Sequence, residues 1–431
     1  MKIDQLYAHF LQCSDVCTDT RKLSENCLFI ALKGPNFNGN RFAGYALKEG
    51  AAFAVVDEWG LASEGLTEEE KKRLLLVDDG LSFLQELGTH HRRQLGTPLV
   101  ALTGSNGKTT TKELIAAVLS QSKVTLATAG NLNNHIGVPL TLLRLTKETE
   151  IGVIEMGANH QKEIAFLCSL AEPDYGYITN FGKAHLEGFG GVEGVIKGKS
   201  EMYDYLLSQD KTVFLNADDP IQGEKLEGYV KKVGYSRTDE RYFNIKLLKE
   251  SPALELEVEG IQIQTQLSGV YNFTNCAAAI TIGKYFGVPL KSIQRALESY
   301  VPQNMRTQWV EKSGHCILLD AYNANPTSMA AALGLFGQVD ASSKYVVLGD
   351  MFELGEAAQA EHQAIADQLT SMELDGAFLV GKNFAGVSSD FPQFKSYEDF
   401  AQFVKQNPFS PTHLLIKGSR GMALERILDL L

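Results

Sequence analysis

A glycine-rich turn is the feature that most constrains how this chain can fold. Residues 103 to 113 read TGSNGKTTTKE and directly follow the apolar run PLVAL. A buried strand that enters such a turn and continues into a helix predicts a phosphate loop, because backbone N–H groups at the helix start converge on anionic oxygens. The general motif has four residues between its glycines, whereas Gly104 and Gly107 enclose only two. The turn therefore predicts a nucleotide site of a particular short kind.

Within this loop, each residue type has an expected role. We expect Lys108 to neutralise the β- and γ-phosphates of ATP and the hydroxyl of Thr109 to ligate Mg²⁺. A chance glycine-rich turn is the alternative, but the strand before it and the helix after it favour a phosphate loop. The residues predicted to bind the nucleotide here are Gly104, Ser105, Asn106, Gly107, Lys108, Thr109 and Thr110.

The chain of 431 residues is too long for one hydrophobic core, so several domains are expected. Short apolar strands alternate with helical patterns, which predicts an α/β protein with parallel sheets covered on both faces. Changes in this pattern suggest three domains, at residues 1–96, 97–301 and 302–431. Near residues 243–267 the apolar residues alternate with a period of two, which predicts added antiparallel strands.

Composition limits the possible partners and the compartment. Lys plus Arg number 40 against 52 Asp plus Glu, a net charge of -12, which argues against a nucleic-acid binder or an anionic-membrane binder. No apolar stretch is long enough for a membrane span or a signal peptide. The six cysteines are scattered without a C-x-x-C pair, which favours reduced thiols in the cytoplasm, with zinc at Cys13, Cys17 and Cys27 as the minor alternative. No sustained heptad appears, so we expect a monomer.

Beyond the phosphate loop, three residues are candidates for metal binding or catalysis. Glu155 ends the buried strand pattern IGVIE, at the sheet edge where doubly wound folds bind ligands. His185 lies in a glycine-bracketed loop, NFGKAHLEGFGG, although a lone histidine is more often a core or surface residue. Lys199, in GVIKGKSEMYDYL, is by itself a solvated helix lysine.

Polar residues near predicted turns could contact the base, the ribose or the phosphates. Asparagines at 272, 275, 323 and 325 could hydrogen-bond a base or sugar, or could simply cap helices. Arg306 could reach the triphosphate, and KGSRG, with Lys417 and Arg420, forms a cationic turn suited to a carboxylate or phosphate.

Taken together, these motifs resemble the Mur ligase family of cell-wall enzymes over essentially the whole chain. TGSNGKTT is similar to the family's short phosphate loop, EMGAN to its glutamate motif and NFGKAHLEGFGG to its histidine motif. The resemblance implies a small N-terminal α/β domain that binds UDP, a central ATPase domain of the phosphate-loop type with a parallel sheet, and a C-terminal Rossmann-like domain.

The resemblance also implies roles for individual residues. Lys199 would be the family's carbamylated lysine, which carbon dioxide converts from a cation into an anionic metal ligand. Thr109 and Glu155 would hold one of two Mg²⁺ ions and His185 would bind at the other, so Lys108, His185 and Lys199 would be catalytic. The implied nucleotide contacts beyond the phosphate loop are Asn272, Asn275, Arg306, Asp320, Tyr322, Asn323 and Asn325. The predicted substrate-binding residues are Asp19, Thr20, Arg21, Asn133, Asn134, Lys417 and Arg420.

Three further motifs narrow the expected reaction. NLNNHIGVPLTLL, DAYNANPTSM and LGDMFELGE are similar to the family members that add D-alanyl-D-alanine to UDP-N-acetylmuramoyl-tripeptide at the expense of ATP. The member that adds the diamino acid and a folylpolyglutamate synthase remain as alternatives. A phosphate-loop switch and a non-catalytic UDP-sugar-binding protein are alternatives of a different class. Whether the third residue of the peptide is lysine or diaminopimelate is left open.

Overall fold

The computed structural model of the protein describes residues 3–302 and 305–431. By contacts, the chain separates into two compact units. Of the described residues, the first comprises 3–102, 123–157 and 163–176, and the second comprises 103–122, 158–162, 177–302 and 305–431. The predicted domain boundary after residue 301 adjoins residues 303–304, which lie outside the described part of the chain.

The N-terminal part of the first unit is a small α/β layer structure. Its four-stranded sheet is parallel throughout, with its strands in chain order across the sheet. The strands are Val16–Cys17, Leu28–Ile30, Phe53–Val56 and Leu74–Leu76, and a separate antiparallel pair is formed by Lys33–Gly34 and Phe37–Asn38. The helices are Ile3–Phe10, Ala43–Lys48, Trp59–Ala62, Glu68–Lys71 and Gly80–Leu95.

The long helix Gly80–Leu95 shows how local sequence sets the limits of an element. Asp79 caps its start by accepting a hydrogen bond from the backbone N–H of Ser82 at 2.7 Å. The helix ends at Gly96, whose φ of 65° is the left-handed conformation that glycine adopts without strain. One face of the helix, including Phe83, packs into a core with the sheet.

Seven further strands lie between residues 99 and 244, and each unit contains some of them. They are Leu99–Thr103, Thr125–Ala127, Ile151–Glu155, Tyr175–Ile178, Thr212–Asn216, Lys232–Ser236 and Phe243–Asn244. Among these strands, every pairing that is described is parallel. The first unit also contains the helices Gly137–Leu142 and Glu163–Ala171. The predicted parallel sheet is thus confirmed.

In the second unit, helices surround the phosphate-loop segment and a short antiparallel sheet follows. The helices up to residue 302 are Lys108–Leu119, Leu186–Phe189, Val192–Ser208, Pro220–Lys225, Val270–Tyr285 and Leu290–Ser299. The antiparallel strands are Lys246–Lys249, Glu255–Val258 and Ile261–Gln264, which confirms the prediction from the period-two pattern.

Residues 305–431 form the C-terminal segment of the second unit, built around a six-stranded sheet. In spatial order the strands are Gln308–Lys312, His315–Asp320, His413–Lys417, Lys344–Gly349, Gly376–Val380 and Gln393–Phe394. Only the first pair is antiparallel. The α-helices are Pro326–Gly337, Ala358–Thr370 and Tyr397–Gln406. The segment has its own buried core, so the expected Rossmann-like architecture is present.

None of the helices described combines the length and the apolar character needed to cross a lipid bilayer.

Candidate active site

The phosphate loop begins where strand Leu99–Thr103 ends, and its glycines leave no room for side chains. Gly104 has φ of 141°, and an added Cβ would lie 1.9 Å from Oγ1 of Thr179. Gly107 has φ of 79°, and its Cβ would lie 2.6 Å from Oδ1 of Asn275. Real Cβ atoms do not approach neighbours this closely, so the path of the loop requires glycine at both positions.

Lys108 starts the helix Lys108–Leu119 and folds back over the loop. Its Nζ donates hydrogen bonds to the carbonyl oxygens of Gly104 at 2.7 Å and Ser105 at 3.2 Å. The ammonium group is therefore held beside the backbone N–H groups of the loop, where phosphate oxygens would collect. Thr109, the next residue, is 5% exposed in the first turn of the helix.

The loop is held in place by polar contacts from elsewhere in the second unit. Oδ1 of Asn180 accepts a hydrogen bond from the backbone N–H of Asn106 at 3.1 Å, and Oγ of Ser105 donates to the carbonyl of Gly182 at 2.8 Å. The sequence analysis did not single out Asn180, although it is the first residue of the motif NFGKAHLEGFGG. The loop is thus fixed before any phosphate arrives.

Two predicted nucleotide contacts, Asn272 and Asn275, are buried in the first turns of the helix Val270–Tyr285. Asn272 donates to the carbonyl of Ser268 at 2.8 Å and accepts from Nδ2 of Asn275 at 2.9 Å. Oδ1 of Asn275 accepts from the hydroxyl of Thr111 at 2.9 Å, so this side chain packs against the phosphate-loop helix. Its proximity to that helix supports a place in the site, while its role towards adenine stays a prediction.

Lys199 lies in the middle of the helix Val192–Ser208 and is 1% exposed. Its Nζ lies 4.9 Å from the centre of the Phe189 ring and donates to the carbonyl of Ala158 at 3.2 Å. The simple interpretation of Lys199 as a solvated lysine is therefore wrong. Periodicity could not reveal this, because the helix that carries Lys199 is covered by other segments of the chain.

His185 is the N-cap residue of the short helix Leu186–Phe189 and has a left-handed φ of 54°. Its Nδ1 pairs with a carboxylate oxygen of Glu353, and this contact lowers the pKa of the Glu353 carboxyl. Carboxylates commonly orient metal-binding histidines in this way. Sequence analysis did not single out Glu353, although it lies in the motif LGDMFELGE.

In the first unit, Glu155 ends its strand as predicted and is 1% exposed. Its Oε1 accepts a hydrogen bond from Nδ2 of Asn133 at 2.8 Å. Oδ1 of Asn134 accepts from the backbone N–H groups of Ile136 and Gly137 at the start of the following helix. Asn133 thus orients the predicted metal ligand, and Asn134 holds the turn before the helix Gly137–Leu142. Their predicted contacts with substrate remain untested.

In the C-terminal segment, Asp320 and Lys417 end neighbouring parallel strands and are paired in register. Nζ of Lys417 lies 2.6 Å from Oδ2 of Asp320, and its side chain is 2% exposed. The same Nζ donates to the carbonyl of Asn323 at 3.1 Å. The structure therefore shows Lys417 holding the turn that follows Asp320, and its contact with substrate stays a prediction.

The other predicted residues of this turn lie around that ion pair. The guanidinium carbon of Arg306 stacks 3.7 Å from the centre of the Tyr322 ring. Oδ1 of Asn325 caps the helix Pro326–Gly337, while its Nδ2 donates to Oδ1 of Asn106 in the phosphate loop at 2.7 Å. Arg420 pairs with Glu425 at 2.8 Å. Asn325 thus contacts the phosphate loop, and the predicted contacts of this turn with the nucleotide stay a prediction.

The three N-terminal candidates form a compact exposed turn in the first unit. Asp19 caps the 3₁₀ helix Thr20–Lys22 and accepts hydrogen bonds from Nε and Nη2 of Arg21. These bonds lower the pKa of the Asp19 carboxyl to about 2. The turn therefore presents a fixed carboxylate and a guanidinium group to solvent, which suits a polar ligand.

The side chains predicted to bind Mg²⁺ are those of Thr109, Glu155, His185 and Lys199. Within residues 3–302 and 305–431, no cluster of three His, Cys, Asp or Glu side chains is arranged to hold a metal. Hydroxyl and carboxylate oxygens are nevertheless the ligands that Mg²⁺ prefers, together with phosphate oxygens from the substrate. The hydroxyl of Thr109 and the carboxylate of Glu155 are oxygen donors of this kind, and their binding of Mg²⁺ stays a prediction.

Three domain descriptions match successive parts of the chain. Residues 13–92 match the "Mur ligase family, catalytic domain", residues 102–283 the "Mur ligase middle domain" and residues 305–420 the "Mur ligase, glutamate ligase domain". The chain belongs to the Mur ligase family. The boundaries predicted at residues 96 and 301 fall between the matched regions and stay a prediction.

Particular relatives are similar over almost the whole length. The chain is 36% identical to the UDP-N-acetylmuramoyl-tripeptide–D-alanyl-D-alanine ligase of Bacillus subtilis, over 96% of this chain and 92% of that one. A crystal structure of MurF from Acinetobacter baumannii has a TM-score of 0.83 at 30% identity and covers 100% and 98% of the two chains. The MurF ligase of Thermotoga maritima in complex with ADP has a TM-score of 0.82 at 26% identity, with 98% and 97% covered.

Proposed function

We propose that the protein is an ATP-dependent ligase that joins D-alanyl-D-alanine to UDP-N-acetylmuramoyl-tripeptide in peptidoglycan precursor synthesis. The observation that carries this proposal is the 36% identity to a ligase of that name over 96% of the chain. The phosphate loop, with its two glycines that tolerate no side chain, supports the use of a nucleotide. The products are UDP-N-acetylmuramoyl-pentapeptide, ADP and phosphate.

The reaction must make a carboxylate electrophilic. An oxygen of the tripeptide carboxylate attacks the γ-phosphorus of ATP, and the bond between that phosphorus and the ADP oxygen breaks. The resulting acyl phosphate has a good leaving group. The amine of D-alanyl-D-alanine then attacks the acyl carbon and loses a proton, and the tetrahedral intermediate collapses to the amide and inorganic phosphate.

Lys108 and the backbone N–H groups of the phosphate loop would bind the β- and γ-phosphates and stabilise the charge that develops during transfer. Thr109 and Glu155 would hold one Mg²⁺ ion, with His185 and a carbamylated Lys199 at a second. When bound, these ions supply charge neutralisation between the anionic carboxylate and the triphosphate. The buried setting of Lys199 supports carbamylation, because a buried ammonium group is costly and would repel the metal.

The remaining predicted contacts complete the proposal. Asp19, Thr20 and Arg21 would bind the uridine sugar nucleotide, and the turn from Asp320 to Asn325 would close over the nucleotide. Closure would protect the acyl phosphate from water. We further propose that the protein acts as a monomer in the cytoplasm.

Phosphate release from ATP and Mg²⁺ tests the function directly. The purified protein would receive UDP-N-acetylmuramoyl-tripeptide with or without D-alanyl-D-alanine, and lysine and diaminopimelate tripeptides would be run in parallel. We expect release only when both substrates are present, with a pentapeptide product by mass spectrometry. Turnover of the UDP-dipeptide with a diamino acid instead, or of a folate with glutamate, would replace this proposal with one of the two alternative ligases. Binding of the UDP-linked substrate without any release of phosphate from ATP would instead support a non-catalytic UDP-sugar-binding protein.

Carbamylation of Lys199 has its own test. Replacement of Lys199 by Ala should abolish phosphate release, and short-chain carboxylic acids should restore part of it by occupying the place of the carbamate. The matched control is Lys197→Ala, on the same helix two residues earlier. Failure of every acid to restore activity, together with a wild-type mass that shows no carbon dioxide adduct, would count against the carbamate.

A further inference from the structure

One loop of the second unit contacts both the phosphate loop and the C-terminal segment. We call residues 179–185 the connecting loop. On one side, Asn180 exchanges two hydrogen bonds with the backbone of Asn106, at 3.1 and 3.0 Å. An added Cβ at Gly182 would lie 2.9 Å from Nδ2 of Asn106 and 3.1 Å from Oγ1 of Thr327. The connecting loop therefore fills the space between the phosphate loop and the helix Pro326–Gly337.

Lys183 supplies two of the contacts on the C-terminal side. Its backbone N–H donates to the hydroxyl of Thr327 at 2.9 Å, in the first turn of the helix Pro326–Gly337. Its Nζ lies 2.6 Å from Oε1 of Glu361, in the first turn of the helix Ala358–Thr370. A single residue thus contacts two different helices of the C-terminal segment.

The ion pair between Lys183 and Glu361 differs from an ordinary surface ion pair in how exposed its two side chains are. The side chain of Glu361 is 16% exposed and that of Lys183 is 48% exposed. Separating a mostly buried carboxylate from its partner costs more free energy than separating an exposed one, because less water is available to replace the partner. Isolated exposed pairs, in contrast, contribute little.

We propose that Lys183 fastens the C-terminal segment to the connecting loop and is a positioning residue for the ligase reaction. This inference rests on the proposed function. Lys183 acts through Glu361 and Thr327, so it governs how often the C-terminal segment is docked against the phosphate loop. The chemical step itself belongs to other residues. Because the same loop carries His185, the contact also keeps that imidazole in place beside Glu353.

The test is a charge reversal with a charge swap. The variants are Lys183→Glu, Glu361→Lys and the double variant that exchanges the two charges. A matched control reverses and swaps Lys246 and Glu257, which form a 2.7 Å ion pair within the antiparallel sheet. Hydrogen exchange of residues 358–370 would be measured by mass spectrometry without ligands, and kcat and KM for ATP would be measured with both substrates.

We expect Lys183→Glu to speed exchange in residues 358–370 and to lower kcat/KM for ATP roughly tenfold, because repulsion replaces a modest attraction. The swap should restore both quantities to within about twofold of wild type. Added salt should reduce the difference between wild type and Lys183→Glu, because salt screens partly exposed charges.

Two results would overturn the proposal. One is Lys183→Glu showing the same exchange as the Lys246→Glu control. The other is a charge-swapped variant no better than the single reversal. Hydrogen exchange needs no ligase activity, so it decides the role of Lys183 even if the wild-type protein fails the phosphate-release assay.

Discussion

Nδ2 of Asn325 donates a hydrogen bond to Oδ1 of Asn106 at 2.7 Å, across 219 positions of sequence. Asn325 starts a helix of the C-terminal segment, and Asn106 lies in the phosphate loop. Movement of the phosphate loop on binding ATP would therefore displace the start of that helix through this hydrogen bond. This contact supplies a physical link between nucleotide binding and the docking of the C-terminal segment.

Two replacements of Asn325 distinguish its role as a helix cap from its hydrogen bond to Asn106. Asn325→Ala removes the cap that accepts from Ser328, so we expect the free energy of unfolding to fall by about 1 kcal/mol. Asn325→Ser keeps a capping oxygen but is too short to reach Asn106, so stability should remain near wild type. Both variants should raise KM for ATP severalfold. Urea unfolding and steady-state kinetics measure these effects, and an unchanged KM in Asn325→Ser would contradict a role for the bridge.

Gly107→Ala should abolish nucleotide binding while leaving the protein folded. The new Cβ would lie 2.6 Å from Oδ1 of Asn275, at a backbone φ of 79° that already disfavours alanine. The control is Gly130→Ala, where φ is 53° and no atom lies within 4 Å of the new Cβ. Strain alone should cost that control about 1–2 kcal/mol of stability. ATP affinity by calorimetry should be lost only in Gly107→Ala, and equal affinities in the two variants would refute the steric argument.

Lys417→Met should be strongly destabilising because it leaves the Asp320 carboxylate without its ammonium partner. The side chains are 2% and 15% exposed, so a loss of about 3 kcal/mol is expected for the C-terminal segment. The double variant Lys417→Met with Asp320→Asn removes both charges and should recover part of that loss. Chemical unfolding monitored by hydrogen exchange of residues 305–431 measures both. A single variant as stable as wild type would show that the pair contributes nothing.

Stability should also depend on pH through His362, which is 0% exposed. Its Nδ1 donates to the carbonyl of Ala358 and its Nε2 accepts from the backbone N–H of Met351, so the imidazole is neutral. Burial lowers its pKa below the ordinary value of 6.5, although the backbone bond to Ala358 and the charges of Asp350 and Glu361 oppose this. A folded-state pKa that is lowered means that the unfolded chain takes up the proton first. Stability from His362 is thus present above pH 6.5 and is lost as the pH falls below it.

The measurement compares wild type with His362→Gln, whose side chain does not titrate. Above pH 7 the wild type should be the more stable, and the difference should narrow between pH 6.5 and pH 5. Burial also lowers the pKa values of His91 and His315. Because both proteins contain these two histidines, their effects cancel in the comparison. A difference that stays constant with pH would contradict the assignment.

Local sequence was enough to predict the elements of the fold. The alternation of short apolar strands with helices gave the parallel sheets, and the period-two pattern near residues 243–267 gave the antiparallel strands. The phosphate loop could also be recognised, because a glycine-rich turn between a buried strand and a helix is a local arrangement. The structure adds that this loop has no room for a side chain at Gly104 or Gly107.

Tertiary structure decided which charged and polar groups meet. Nothing local in the sequence distinguishes Lys199 from a solvated lysine, yet other segments bury it. The cationic turn suggested that Lys417 binds an anion, which stays a prediction, but only the register of two parallel strands shows that it pairs with Asp320. Glu353 could be recognised as part of the site only from its contact with His185 in the folded chain. Periodicity records which face of an element is buried, whereas these contacts depend on which distant segments pack together, and that is set only when the whole chain folds.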